Sequence, residues 1–343
     1  MGFEIKQGML TVYGKERGVT DVVIPDSVSV IGKGAFFDCE HLTSVTIGDN
    51  VTAIQPWAFH FCKRLTSMTI PDSVTSLGEY AFGWCESMAS VTVGRGIQTI
   101  EKGTFEGCTG LTSISLPDGV KTIGCGAFVK CRKLKEITLP DSLNEIEKYA
   151  FENCRALTTI RLPDGMRRIG NYAFQDCVSL SSCTIPDSVT DFGQYVFDGC
   201  RCLKHLTIFG YTVDNTLWDW RKAPPSAVLA MLQEKNYSAP LPAAVRYQFI
   251  AQVFLKDGQS EAQAFIRDNI SDILTFFIDT ENYEVLKGLL SSGKFVAKDN
   301  VMDFVQYAID HAQKGGDLQI QLLLMNYKND HFPDMDPFEG IGF

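Results

Sequence analysis

The sequence predicts a repeat β-solenoid, right-handed and built from short parallel strands plus helical or 3₁₀ turns, followed by an all-α helical domain. Three observations predict it. A phenylalanine recurs every 23 residues without a slip, at Phe36, Phe59, Phe82, Phe105, Phe128, Phe151, Phe174 and Phe197. A cysteine keeps the same step three residues later, at Cys39, Cys62, Cys85, Cys108, Cys131, Cys154, Cys177 and Cys200. Beyond Pro224 this beat is gone and helix-forming residues take over. Self-similarity at a fixed period of about 20 to 50 residues marks units that bury their apolar faces only against their neighbours.

Taken in order, residues 1–23 precede the first full unit and read as an N-terminal cap, with Ile5, Leu10 and Val12 arranged around Gly8 as two short strands. Residues 24–211 form the solenoid of about eight coils. Its unit is legible from Ile70 to Ser90. The slot of Val28 holds Val51, Val74, Ile97, Val120, Leu143, Met166 and Val189, and the slot of Ile31 is equally apolar, so both face inward. Ser44-Val45-Thr46-Ile47 alternates polar and apolar residues, the period of a half-buried strand. One such strand per coil stacks into a parallel sheet. Pro-Asp pairs such as Pro71-Asp72 mark a turn, since proline fixes φ and aspartate bonds nearby backbone. The Gly-x-x-Ala-Phe-x-x-Cys stretch spaces its apolar residues by three and predicts one helical or 3₁₀ turn opposite the strand.

Residues 212–225 read as a C-terminal cap and linker, with Tyr211, Trp218 and Trp220 closing the solenoid. The helical domain, 226–328, is expected to contain helices near Ser226–Gln233, Pro242–Leu255, Ser260–Arg267, Ile270–Asp279, Tyr283–Ser291, Lys298–Ala312 and Leu318–Tyr327. Residues 329–343 form an acidic tail carrying Phe332, Phe338 and Phe343 among its aspartates.

Composition narrows the function classes. Through Tyr211 the chain carries 20 basic and 23 acidic residues and the remainder 11 and 18, so neither part suits nucleic acid or an anionic membrane. No apolar run of about 18 residues occurs, and no charged stub with an apolar stretch opens the chain, so membrane insertion is not expected and the sequence as written reads as cytoplasmic. Eleven cysteines cannot pair completely, and eight sit in one repeat phase. They read as a reduced packing ladder, since free cysteine behaves as a small buried hydrophobe. Strand-like coil spacing leaves bridges between neighbouring coils allowed by distance.

The consensus I-P-D-S-V-T-x-I-G-x-x-A-F-x-x-C-x-x-L-T-S-V-T, over roughly Val22 to Ile208, resembles the BspA-like leucine-rich repeats of bacterial surface proteins and some protists. That resemblance implies a curved solenoid that binds proteins or host matrix, with no catalytic residues, and a cell-surface or secreted location where a leader precedes Met1. Leu289-Leu290 and Leu322-Leu323 lie 33 residues apart, so Ile270 to Lys328 weakly resembles ankyrin repeats, without their Thr-Pro-Leu-His signature.

No G-x-x-x-x-G-K-[ST], H-E-x-x-H, G-x-S-x-G or C-x-x-C motif occurs, and no two of the five histidines are ligand-spaced. No enzyme activity, cofactor or metal site is expected. The Asp column (Asp26, Asp49, Asp72, Asp118, Asp141, Asp164 and Asp187) reads as turn capping in preference to a cation-binding edge. More informative are outward positions that break the repeat's Ser/Thr/Gly habit. Phe37, Trp57, Phe61, Tyr80 and Trp84 share neighbouring coils and form a candidate aromatic binding patch, against the alternative that they cover the cap or pack on each other. A second, basic set comprises Arg132, Lys133, Arg155, Arg161, Arg167 and Arg168, with an acidic partner as one reading and a solvated face as the other. The function expected is a non-enzymatic protein-interaction module, with a host-matrix adhesin as its near alternative and a carbohydrate-active enzyme as the distant one.

Overall fold

The computed structural model describes residues 3–13, 19–208, 210–214 and 225–335. They fall into two compact units, Met1–Ser226 and Ala227–Phe343.

The first unit is the solenoid. Its main strand lane holds the expected Ser/Thr-apolar-Ser/Thr triplets, such as Ser67–Thr69 and Ser90–Thr92, paired in parallel with a 23-residue offset that sets Met68 beside Val91. A second lane was not anticipated from the sequence. Two-residue strands, Val30–Ile31, Ala53–Ile54, Ser76–Leu77 and their successors to Asp191–Phe192, also pair in parallel. Two residues are too few to display an alternation, so only their inward apolar member was visible.

The Gly-x-x-Ala-Phe-x-x-Cys stretch closes each coil as a run of overlapping turns. Ala58 N–H bonds Gln55 O, His60 N–H bonds Trp57 O and Cys62 N–H bonds Phe59 O, all with the three-residue reach of a 3₁₀ turn. Alternate N–H groups instead cross to the next coil, as Trp57 to Glu79, Phe59 to Ala81 and Phe61 to Gly83. Sharing donors between the coil and its neighbour requires left-handed residues in between, at Trp57 and Phe61 in this coil. The geometry is therefore 3₁₀-like in its bonds without becoming a helix.

Inside, the eight phenylalanines form one continuous stack, with ring centroids 4.8 to 5.8 Å apart from Phe36 to Phe197. Beside them the cysteine ladder has a chemical rationale. Each thiol from Cys62 to Cys200 donates to the phenylalanine carbonyl of the preceding coil, as Cys62 Sγ to Phe36 O at 3.1 Å. The slot demands a small, apolar side chain with one weak donor, which describes cysteine. Burial pushes the thiols of Cys85, Cys108, Cys131, Cys154 and Cys177 up, Cys108 to about 12. These ladder residues are reduced.

Both ends reverse strand direction. At the N-terminus Phe3–Lys6 and Met9–Tyr13 form an antiparallel hairpin whose second strand pairs with Val30–Ile31. At the other end Tyr211–Asp214 turns back antiparallel on His205–Ile208, with Tyr211 buried. Each hairpin covers an edge that would otherwise accept another strand. Trp218 and Trp220, also expected in the C-terminal cap, lie outside the described residues.

The second unit contains α1 (Pro225–Gln233), α2 (Ala243–Asp257), α3 (Ser260–Asp268), α4 (Ile270–Asp279), α5 (Tyr283–Ser291), α6 (Val301–Gln313) and α7 (Leu318–His331). Asn282 caps α5 by accepting Val285 N–H, and Asp317 caps α7 by accepting Gln319 N–H. The helix expected from Lys298 begins only at Val301, because Asn300 holds a turn by accepting Ala297 N–H. Helices α4 and α5 pack together, α6 and α7 likewise, and the second pair stacks on the first through α4 against α6 and α5 against α7. Leu286, Leu289, Leu290, Phe304 and Ala308 are buried there. Tyr307 turns outward instead and donates to Asp279 at 2.9 Å.

Candidate functional site: an aromatic face in left-handed backbone

The turn face places two slots of every coil in the left-handed region. One runs Gly34, Trp57, Tyr80, Gly103, Gly126, Tyr149, Tyr172 and Tyr195, the other Asp38, Phe61, Trp84, Gly107, Lys130, Asn153, Asp176 and Gly199. Glycine, asparagine and aspartate are the residues this backbone favours, while a bulky side chain there costs on the order of 1 kcal/mol or more. Trp57, Phe61, Tyr80 and Trp84 occupy it at φ of +55 to +62°.

Each of the four carries a lysine over its ring: Lys33 at 4.7 Å from Trp57, Lys63 at 6.0 Å from Phe61, Lys102 at 5.6 Å from Tyr80 and Lys130 at 5.3 Å from Trp84. Such contacts contribute about 0.5–1 kcal/mol each at exposed sites. The rings also touch one another. Trp57 stacks on Tyr80 with centroids 6.4 Å apart, Phe61 lies 6.3 Å from Trp84, and Phe37 meets Phe61 edge-on at 5.9 Å. The five aromatics named from the sequence are thus brought together on one face. Phe37 is 44% exposed and the other four are half-buried.

Three glycines make room for this cluster. A Cβ on Gly103 would stand 2.2 Å from the Tyr80 ring, one on Gly107 2.6 Å from Trp84, and one on Gly83 2.4 Å from the His60 imidazole. Each large ring therefore leans over a bare backbone position in the next coil. His60 sits at the centre, 4.3 Å from Phe61, 5.8 Å from Phe37 and 6.0 Å from Tyr80. Burial lowers its pKa, partly offset by the Tyr80 carbonyl, and its Nδ1 forms no hydrogen bond of normal geometry. At the far side Glu106 has its pKa raised, chiefly by burial, against the opposing pull of Lys130, Lys102 and a hydrogen bond with the Trp84 side chain. Lys33, Gly34, Phe37, Trp57, His60 and Phe61 line an open depression of about 410 Å³.

The lysines, the seating glycines and His60 were missed by reading outward departures one residue type at a time. The signal was available as the 23-residue step from Tyr80 to Gly103 and from Trp84 to Gly107.

The basic set is not brought together. Arg132 and Arg155 share a slot in successive coils beside the cysteine corner, with Lys133 next to them, and Arg155 bonds Asn153. Arg161 stands on the main strand face, while Arg167 and Arg168 lie beyond the Pro-Asp turn. Arg168 is held between Glu145 at 2.7 Å and Asp191 at 2.9 Å. In the Asp column, Asp72 accepts Arg95 N–H of the next coil at 2.8 Å, so this carboxylate ties coil to coil. Among the described residues no cluster of His, Cys, Asp and Glu is arranged to hold a metal ion, and no helix is long and apolar enough to cross a membrane.

Comparison with known proteins bears on the repeat. The BspA-type leucine-rich repeat region, in six copies, matches residues 12–123 and 98–215. Among solved structures, a leucine-rich repeat protein from Bacteroides ovatus is 29% identical over 57% of this chain and 56% of its own, with a TM-score of 0.48. One from Eubacterium ventriosum is 30% identical over 49% of this chain and 45% of its own, at 0.47. The T. pallidum leucine-rich repeat protein is 27% identical over 57% of this chain and 82% of its own, at 0.42. This chain thus spans about half the length of the first two. The chain has no match among curated proteins. With the matched repeats running from residue 12 to residue 215, well over half of its length, the chain belongs to the BspA-type leucine-rich repeat family.

Proposed function

We propose that the chain is a non-enzymatic protein-binding module whose contact surface is the aromatic turn face at Phe37, Trp57, Phe61, Tyr80 and Trp84. One observation carries the reading: four bulky aromatics stand in left-handed backbone, each with a lysine over its ring. Glycine and asparagine adopt this backbone at least cost, and Gly103, Gly126 and Asn153 hold the same slots in following coils, so the fold does not require a ring there. Tryptophan, tyrosine and phenylalanine supply large contact area at low entropic cost, and a depression beside exposed Phe37 gives an anchor somewhere to insert. The lysine rim favours a partner carrying carboxylates around its own apolar anchor.

The test is affinity capture from the source cell with wild-type protein and with Trp57→Ala and Trp84→Ala. A partner recovered by the wild type and lost with either variant supports the platform, and identical recovery by all three baits refutes it. The adhesin reading of the same face gains ground if the partner so lost is a host matrix protein.

A further inference from the structure

The left-handed slot of Trp57 and Tyr80 is glycine at Gly103 and Gly126 and then becomes aromatic again, at Tyr149, Tyr172 and Tyr195. Their rings are nearly parallel, within 11°, with centroids 5.2 Å apart on both steps. Stacked carbon planes touch at about 3.5–4.0 Å, so centroids 5.2 Å apart mean that these rings are offset like shingles, and Tyr149 and Tyr172 are half-buried. Tyr195 is 51% exposed. The coil does not need a ring here, because Gly103 and Gly126 hold the same position and the phenylalanine stack already packs the axis.

One groove of about 350 Å³ takes its polar lining from Glu147, Lys148, Arg168, Asn171 and Asp191, and Lys148 and Asn171 directly precede Tyr149 and Tyr172 in the chain. Glu147 accepts Cys125 N–H through Oε2 at 2.9 Å, which leaves Oε1 to accept. Asn171 accepts Gln194 N–H through Oδ1 at 2.8 Å, which leaves its amide NH₂ to donate. Lys148 and Arg168 balance Glu147 and Asp191, so the lining carries no net charge.

We propose that this tyrosine track and its groove bind a neutral oligosaccharide laid along the solenoid axis. Planar carboxylate, amide and guanidinium groups beside aromatic faces are the chemistry that takes up vicinal hydroxyls on one side of a pyranose and its C–H face on the other. A charge-balanced groove has no preference for an ionic ligand. The spacing points the same way. An extended peptide returns a side chain to one face every ~6.6–6.8 Å and falls out of step with a 5.2 Å track, whereas a pyranose ring is about as long as one coil is high.

Saturation-transfer NMR and calorimetric titration of the full chain with cellopentaose and with maltopentaose test the site. At least one sugar takes up saturation at its ring protons, Tyr172→Ala weakens it roughly tenfold, the loss of one aromatic contact, and Leu322→Ala, at an exposed position of α7, leaves it unchanged. Asn171→Ala, which removes no ring from the stack, also weakens it and covers the case in which Tyr172→Ala fails to fold. Absence of transfer to both sugars overturns the proposal, as does wild-type affinity in Asn171→Ala together with any folded Tyr172→Ala. The aromatic-lysine face is untouched by either result, since its own test uses different variants and a different ligand class.

Discussion

Gly103 and Gly107 show how one residue's backbone decides another's side chain. Both have positive φ, and both lie directly under a ring from the preceding coil. Gly107→Ala adds left-handed strain and drives a methyl group into the Trp84 indole, so it is expected to cost about 1–3 kcal/mol. Chemical denaturation measures the loss, and a shifted tryptophan emission in the folded protein shows that Trp84 has left its seat. Gly258→Ala is the control, because it has the same sign of φ and nothing within 4 Å. It reports strain without collision. Glu106 offers a titration counterpart. Its pKa is raised in the folded protein, so the folded state binds the proton more readily than the unfolded chain does. Stability attributable to this group therefore falls as pH rises from the ordinary value of 4.5 through the raised one, and at neutral pH its charge opposes folding. Glu106→Gln keeps an acceptor for Trp84 and removes the charge. It is expected to raise Tm at pH 7 and to lose that advantage near pH 4, and a constant gain at both values would refute the electrostatic account.

At the scale of the element, the cysteine ladder makes the clearest prediction. Cys125, Cys183 and Cys202 stand outside it, the first half-buried, the second buried and the third exposed, while the ladder thiols are buried and those of Cys62, Cys85, Cys108, Cys131, Cys154 and Cys177 have their pKa values pushed upward. The thiolate is the reactive form, so a thiol reagent at pH 8 is expected to modify Cys202 at once and Cys125 slowly, its own pKa being raised chiefly by burial. The ladder reacts only when the solenoid unfolds. Rapid reaction of Cys108 in the folded protein would contradict the Sγ to Phe82 O bond at 3.2 Å. The sequence made the ladder legible, because an inward slot repeats its residue type in every coil. It made the strand lane legible through Ser-Val-Thr alternation, and six of the helix starts to within a residue or so through caps and periodicity. It did not reveal the second strand lane, whose two-residue strands are shorter than any period. Nor did it reveal the seats of Tyr80 and Trp84. Those depend on φ, and a tyrosine written between Glu79 and Ala81 gives no local sign of a left-handed backbone.

For the whole solenoid, each coil touches only its neighbours, so stability is a sum of coils and interfaces and the register is a multiple of 23 residues. Deleting residues 139–161 removes one complete coil, joins Thr138 to Leu162 in phase, and retains Gly103 and Gly107 together with Lys130 over the Trp84 ring. Deleting residues 93–115 is equal in length and phase but removes those two glycines. It sets Tyr80 against Gly126 and Trp84 against Lys130, one coil closer than before. Both shortened chains are expected to keep their strand content by circular dichroism, with one phenylalanine fewer in the stack and a lower Tm. Only the second loses a seat, because Gly126 replaces Gly103 under the tyrosine whereas a lysine in the left-handed slot cannot replace Gly107 under the indole. The larger fall in stability and the altered tryptophan emission therefore belong to the 93–115 deletion. Equal losses from both would mean that the aromatic face is held by its lysines and its own ring contacts, with the glycines beneath it incidental.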